Sequence, residues 1–199
     1  MEILENIFKR SLREYLKEAD EVNDRIEKIL RNSFPYALSK SKRGILYAIV
    51  KHVNPSIVIE TGIGPGVSST IILSALTNGT LYSIDVRDKL ENGKPIGFLV
   101  PEELRHKWKV YIGESRIMLP KILNEVKKVD IFLHDSEHTF ENVMFELTTV
   151  WEKLEKGGII LIDNLDFTEA PRVFSRNMGI NLYRLSDETK TPRINNHEL

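Results

Sequence analysis

The chain has 199 residues, 41% of them hydrophobic and 29% charged, as expected of one soluble globular domain with a sizeable core. Its net charge of −1 offers no general attraction for nucleic acid or anionic membranes, and no apolar run approaches the ~20 residues that span a bilayer. The absence of cysteine excludes disulfides, zinc–thiolate centres and thiol nucleophiles. The N-terminus lacks the charge layout of a signal peptide, so a cytoplasmic location is expected.

Residues 3–30 are predicted to be helical. Phe8, Leu12, Tyr15, Ala19, Val22, Ile26 and Ile29 follow one another by alternating steps of four and three, a coiled-coil-like period. Two readings are open: an amphipathic helix packed on its own domain, or a seam between two subunits of a homodimer. Pro35 breaks the chain. A helix then runs from Lys40 to Val53, closed by Asn54-Pro55.

From residue 56 strands and helices alternate. Strands are predicted at Ser56–Glu60, Thr80–Asp85, Lys109–Ile112, Val129–Asp135 and Gly158–Asp163, with a further strand at Ile180–Leu185. Helices are predicted at 67–76, 102–107, 115–127, 138–155 and 169–178. Such alternation implies right-handed crossovers and a doubly wound, Rossmann-like α/β fold: a mostly parallel sheet with helices on both faces. Lys89–Pro101, with two glycines and two prolines, reads as an inserted loop, either a surface connection or a substrate-facing segment.

The most informative stretch is Glu60-Thr61-Gly62-Ile63-Gly64-Pro65-Gly66-Val67-Ser68, where the first strand passes through a glycine loop into a helix. Ligands of open α/β sheets bind at such strand ends. The Gly62-x-Gly64-x-Gly66 spacing is not the G-x-G-x-x-G of dinucleotide binders, and a carboxylate before the loop would repel pyrophosphate. An acid there suits a ligand with positive charge, such as S-adenosylmethionine (SAM). The plain alternative is a tight turn in an ordinary α/β domain.

Further acids close the later strands. Asp85 could accept two hydrogen bonds from a ribose diol, as in NAD or SAM sites. Asp135, Asp163 and Asn164 offer only oxygen ligands, a set suited to magnesium, or less specifically to manganese or calcium; the competing reading is helix capping and strand termination. His138, three residues after Asp135, is either a proton acceptor facing the crevice or a hydrogen-bonded structural residue. His134 should point to the other face of the sheet.

Together these segments resemble the class I SAM-dependent methyltransferases, and among them the metal-dependent, catechol O-methyltransferase-like enzymes. Val58–Ser69 matches the first motif and Leu81–Asp85 the second-strand acid. Gly113-Glu114-Ser115 matches the segment beside adenine, and Asp130–His138 with Lys156–Asn164 the metal and base region. The resemblance implies that Glu60, Gly62, Gly64, Gly66 and Ser68 hold the methionine part, Asp85 the ribose, and Gly113 and Ser115 the adenine. It implies that Asp135, which also borders the cofactor, binds the metal with Asp163 and Asn164. The family's catalytic lysine falls on His138, leaving His138 and Asp135 as the catalytic candidates.

The expected activity is divalent-metal-assisted O-methylation of a small diol- or catechol-like substrate. The expected organisation is one domain: a helical extension or lid at 1–55, an α/β core at 56–186 and a tail at 187–199. The other function readings are an NAD-type oxidoreductase and a SAM-binding assembly protein without catalysis. No nucleic-acid or membrane partner is expected.

Overall fold

The computed structural model describes residues 2–30, 34 and 37–185; Pro35 and the tail 187–199 lie outside them. Five strands, β1 (Ile57–Thr61), β2 (Thr80–Asp85), β3 (Trp108–Ile112), β4 (Val129–His134) and β5 (Leu154–Ile162), form one sheet in the order β3-β2-β1-β4-β5. Every pairing is parallel. The order reverses between β1 and β4, which opens a crevice at their carboxyl ends.

Two cores sandwich the sheet. One holds α1 (Glu2–Phe8), α2 (Arg13–Leu30), α3 (Lys40–Val53) and α4 (Val67–Ala75) against residues such as Val58, Leu81, Ile131 and Leu133. The other holds α5 (Ser115–Glu125), α6 (Phe140–Trp151) and α7 (Ala170–Met178) against Ile59, Ile84 and Phe132. Adjacent strand residues serve opposite faces, as the two-residue period requires, and buried strands therefore read as nearly continuous apolar runs.

The predicted helix over 3–30 is two helices. Lys9 adopts a left-handed φ of 51°, a conformation helix interiors exclude, and Glu5 accepts a hydrogen bond from the Leu12 backbone N–H at 3.0 Å. Leu12, Ala19, Val22 and Ile26 are buried within the chain's own core, whereas Ile29 is exposed. The apolar seam is thus used against α3 and α4. Charged contacts flank it: Lys40 with Asp20 and Asp24, Arg43 with Glu27, and Lys51 with Glu18.

The strand predicted at Ile180–Leu185 does not form; these residues have no regular structure. Ile180, Leu182 and Tyr183 are substantially exposed, and Arg184 is tied back to Asp166 at 2.6 Å. Apolar residues at alternate positions mimic a strand, but these have no sheet neighbour to bury them.

Candidate active site

The crevice begins at Gly62. Its φ of 87° turns the chain sharply off β1, and its N–H donates to the Ile84 carbonyl at 2.8 Å. On the other side the Asp135 N–H donates to the Thr61 carbonyl at 2.9 Å. The loop is therefore clamped between the ends of β2 and β4. Gly66, with φ 91°, is the N-cap of α4.

The Lys89–Pro101 segment is half surface and half packed: Lys89 and residues 91–95 are exposed, whereas Ile96, Gly97, Leu99 and Val100 are buried. Gly97 N–H donates to the Gly64 carbonyl at 2.9 Å and Leu99 N–H to the Pro65 carbonyl at 3.1 Å, while Leu99 and Val100 are buried. The segment braces the glycine loop from outside. Gly97 is needed there because a Cβ would overlap the Trp108 ring.

A cavity of about 880 Å³ follows, lined by Gly62, Gly64, Ser68, Asp85, Gly113, Ser115 and Asp135 among others. The structure thus brings together most of the residues that the sequence assigns to a nucleoside ligand, in a volume typical of cofactor sites. Asp85 accepts from the Ile63 and Gly64 backbone N–H groups at 3.0 and 3.1 Å, locking the loop to the end of β2.

Glu60 is the exception. It lies beneath the loop, fully buried, and accepts from Ser83 at 2.6 Å and from Ser69. Strand alternation explains the placement: Glu60 shares the α4 face with Val58, whereas Thr61 faces α6. Burial raises the Glu60 carboxyl from its usual 4.5 to about 7, against the lowering effect of hydrogen bonds from Ser69, Ser83 and Ser68. The folded state therefore holds this proton where the unfolded chain has released it, so stability should fall as pH rises from about 4.5 to about 7. Glu60→Gln, which keeps an acceptor for both serines, should remove that descent. Its stability relative to the parent should grow across the window by on the order of a few kcal/mol, measured by urea denaturation at pH 5 and pH 8. Parallel pH profiles for the two proteins would refute this account.

Below the crevice lies a polar network that was not anticipated from the sequence. The buried Glu146 carboxylate accepts from Thr61 at 2.7 Å, His134 Nδ1 at 2.7 Å, Ser136 at 2.9 Å and Asn142 at 3.0 Å. Burial pushes the Glu146 carboxyl up, but the His134 contact and the Ser115 and Thr61 donors outweigh it and hold it below its usual value. Ser115 also donates to Asn142 at 3.2 Å, so the predicted adenine-side residue is anchored here. The readable signal was Asn142 and Glu146, one helical turn apart beside the buried Val143, Leu147 and Val150. His134 faces α6, as its strand position predicts.

Two of the expected metal ligands are engaged by other side chains. Asp163 is paired with Lys42 Nζ at 2.5 Å. Asn164, in a left-handed conformation with φ 53°, turns its amide to His138 Nε2 at 3.4 Å. Asp163 and Asn164 line a second cavity, whereas Asp135 lines the crevice. Among the described residues, no three His, Cys, Asp or Glu side chains converge as a group that could hold a metal ion. Asp163, the carboxylate at the end of β5, thus already has a cationic partner in Lys42.

The second cavity, about 670 Å³, is bordered by apolar side chains including Leu4, Phe8, Ile45 and Phe167, with Lys42, Asp163 and Asn164 as polar groups on its wall. Leu38 borders both cavities. His138 is on neither wall. It packs between the rings of His134 and Phe167, with centroids at 5.2 and 5.4 Å. Burial, and then the neighbouring His134, lower its pKa from 6.5.

A family model described as "Methyltransferase domain" matches residues 59–165, over half of the chain. No curated protein matches the sequence. Among solved structures, the chain is similar to an O-methyltransferase from Bacillus cereus in complex with SAH, with 12% identity, a TM-score of 0.58, and 85% of this chain and 86% of that one covered. It is also similar to the O-methyltransferase TomG from Streptomyces achromogenes, in complex with SAM, at 14% identity and TM-score 0.62, covering 80% and 78%. SAH-bound PaMTH1 from Podospora anserina aligns at 15% identity and TM-score 0.53, covering 88% and 69%. The chain belongs to the methyltransferase-domain family and is a methyltransferase built on the fold that these O-methyltransferases share with it.

Proposed function

We propose that the protein transfers a methyl group from SAM to a hydroxyl of a small, largely apolar molecule. The observation that carries this reading is the pair of cavities sharing Leu38: a polar, glycine-lined crevice beside an apolar cavity that has charged groups on its wall. The donor supplies an electrophilic methyl on a positive sulfur. In the transfer the acceptor's O–H bond breaks, an O–CH3 bond forms, and the C–S electron pair stays with sulfur, leaving a neutral thioether and one proton.

This chain's residues have three tasks. Gly62 and Gly64 hold the methionine part of SAM and Asp85 its ribose, so the methyl is aimed rather than free; alignment of the two reactants can supply several kcal/mol of the barrier. Lys42 and Asn164 receive the acceptor oxygen. From one layer behind Asn164 and Phe167 of the cavity wall, His138 takes the proton through one bridging water: burial lowers its pKa, and its 3.4 Å contact with Asn164 is too long to commit Nε2 firmly. A diol was expected as a metal chelator; with Lys42 on Asp163 that requirement lapses, and a single hydroxyl suffices.

The test is isothermal titration with SAM, followed by a screen of phenols and alcohols for methyl uptake. The parent should bind SAM, and Asp85→Ala should weaken binding by ~10-fold or more, because it removes both the ribose acceptor and the loop's anchor. Failure of the parent to bind SAM would refute the proposal. Binding without methyl uptake by any hydroxylated acceptor would instead favour the assembly-protein reading.

A further inference from the structure

We propose that the Lys42 ammonium occupies the place a divalent cation would take at the ends of β4 and β5, and that methyl transfer here uses no resident metal. This rests on the methyltransferase reading above and assigns that site its cation. The first observation is the ion pair itself. Lys42 Nζ lies 2.5 Å from Asp163 Oδ1, with the two side chains only 19% and 6% exposed. A cation binding Asp163 would have to displace an ammonium already paired out of water.

The second observation is where Lys42 stands. It is in the first turn of α3, whose N-cap is Ser39 and which has no acid in that turn. Positive charge at a helix N-terminus opposes the helix dipole. Lys40 and Arg43 in the same turn are compensated by carboxylates of α2. Lys42 instead reaches across to the sheet, to a residue 121 positions later in the chain. The third observation is the cavity: Lys42, Asp163 and Asn164 share its wall, so the ammonium borders the space proposed for the acceptor.

The chemistry is consistent. As the acceptor loses its proton its oxygen becomes anionic, and a fixed ammonium favours that charge in a site withdrawn from water. Asp163 holds Lys42 in place between turnovers.

The experiment has a binding arm and a turnover arm. In the first, Mn²⁺ is titrated into the purified protein and free Mn²⁺ is read by electron paramagnetic resonance. The parent should show no stoichiometric site, whereas Lys42→Ala, by releasing Asp163, should gain Mn²⁺ affinity. In the second, methyl uptake by an acceptor found in the screen should survive EDTA. It should fall ~100-fold or more in Lys42→Met with the SAM dissociation constant unchanged, and recover in large part in Lys42→Arg, which also guards against a folding defect.

A parent protein that binds one Mn²⁺, loses it on Asp163→Asn, and needs Mg²⁺ for turnover would overturn the inference. So would Lys42→Met turning over at the parental rate. If no acceptor is methylated, the functional proposal fails, while the Mn²⁺ arm still decides whether Lys42 excludes a metal.

Discussion

Gly62→Ala should abolish SAM binding and lower the thermal unfolding midpoint by several degrees. A Cβ at this position would overlap the Asp135 carbonyl oxygen and crowd its carbonyl carbon at 2.7 Å. Neither is the end of a flexible side chain. Both belong to backbone at the end of β4, held by the Asp135 N–H to Thr61 carbonyl bond at 2.9 Å. Gly62 cannot retreat the other way, because its own N–H is held by Ile84. A left-handed φ for alanine costs ~1–2 kcal/mol, and forced overpacking adds ~1–3 kcal/mol.

The strain falls where the crevice is built, so affinity should suffer with stability. Gly64→Ala is the informative contrast. Its φ is 51°, yet a Cβ there meets nothing within 4 Å. The fold should tolerate it at a cost of ~1–2 kcal/mol, while the added methyl intrudes on the ligand's space and weakens SAM binding. Calorimetry of the two variants beside SAM titrations separates the roles. Parental SAM affinity in Gly62→Ala would show that the two strand ends are not rigidly clamped.

The sequence made these strand ends readable because each depends on local chemistry. Buried parallel strands appear as apolar runs, and each run here stops at a turn or a polar residue. Glu60, Asp85 and the residues after β4 and β5 were therefore locatable to within a residue or two. Direction was harder to read than position. Glu60 looked like a ligand contact because it precedes the glycines, but one residue of strand alternation places it under α4.

Lys42 was invisible for a different reason. In sequence it is one of several charges in an ordinary amphipathic helix, and only the tertiary packing of α3 brings it to Asp163. The helical break near Lys9 was hidden by a seven-residue rhythm that continued through it, because Phe8 before the break and Leu12 after it both face the same core. Asp135, Asp163 and Asn164 were correctly placed at neighbouring strand ends. Their chemistry was not decided by that placement, since the counter-charge comes from a segment outside the matched motifs.

His138→Ala should reduce kcat by ~10²- to 10⁴-fold, the usual contribution of a positioned base, while leaving the SAM dissociation constant unchanged. The residue touches neither the glycine loop nor Asp85, so the cofactor end should not register its loss. Its contacts are the His134 ring, which belongs to the buried Glu146 network, and the Phe167 ring and Asn164 amide on the acceptor side. A purely structural histidine would show a different pattern: the unfolding midpoint would drop and KM for the acceptor would rise, with kcat little changed. His138→Asn separates the two further, because it retains a polar side chain against Asn164 but accepts no proton near neutrality. If His138 is the base, His138→Asn should be as inactive as the alanine variant while holding stability closer to the parent. If it only positions Asn164, His138→Asn should recover turnover. Parental kcat in both variants would remove His138 from the chemistry and leave proton removal to another group at the acceptor cavity.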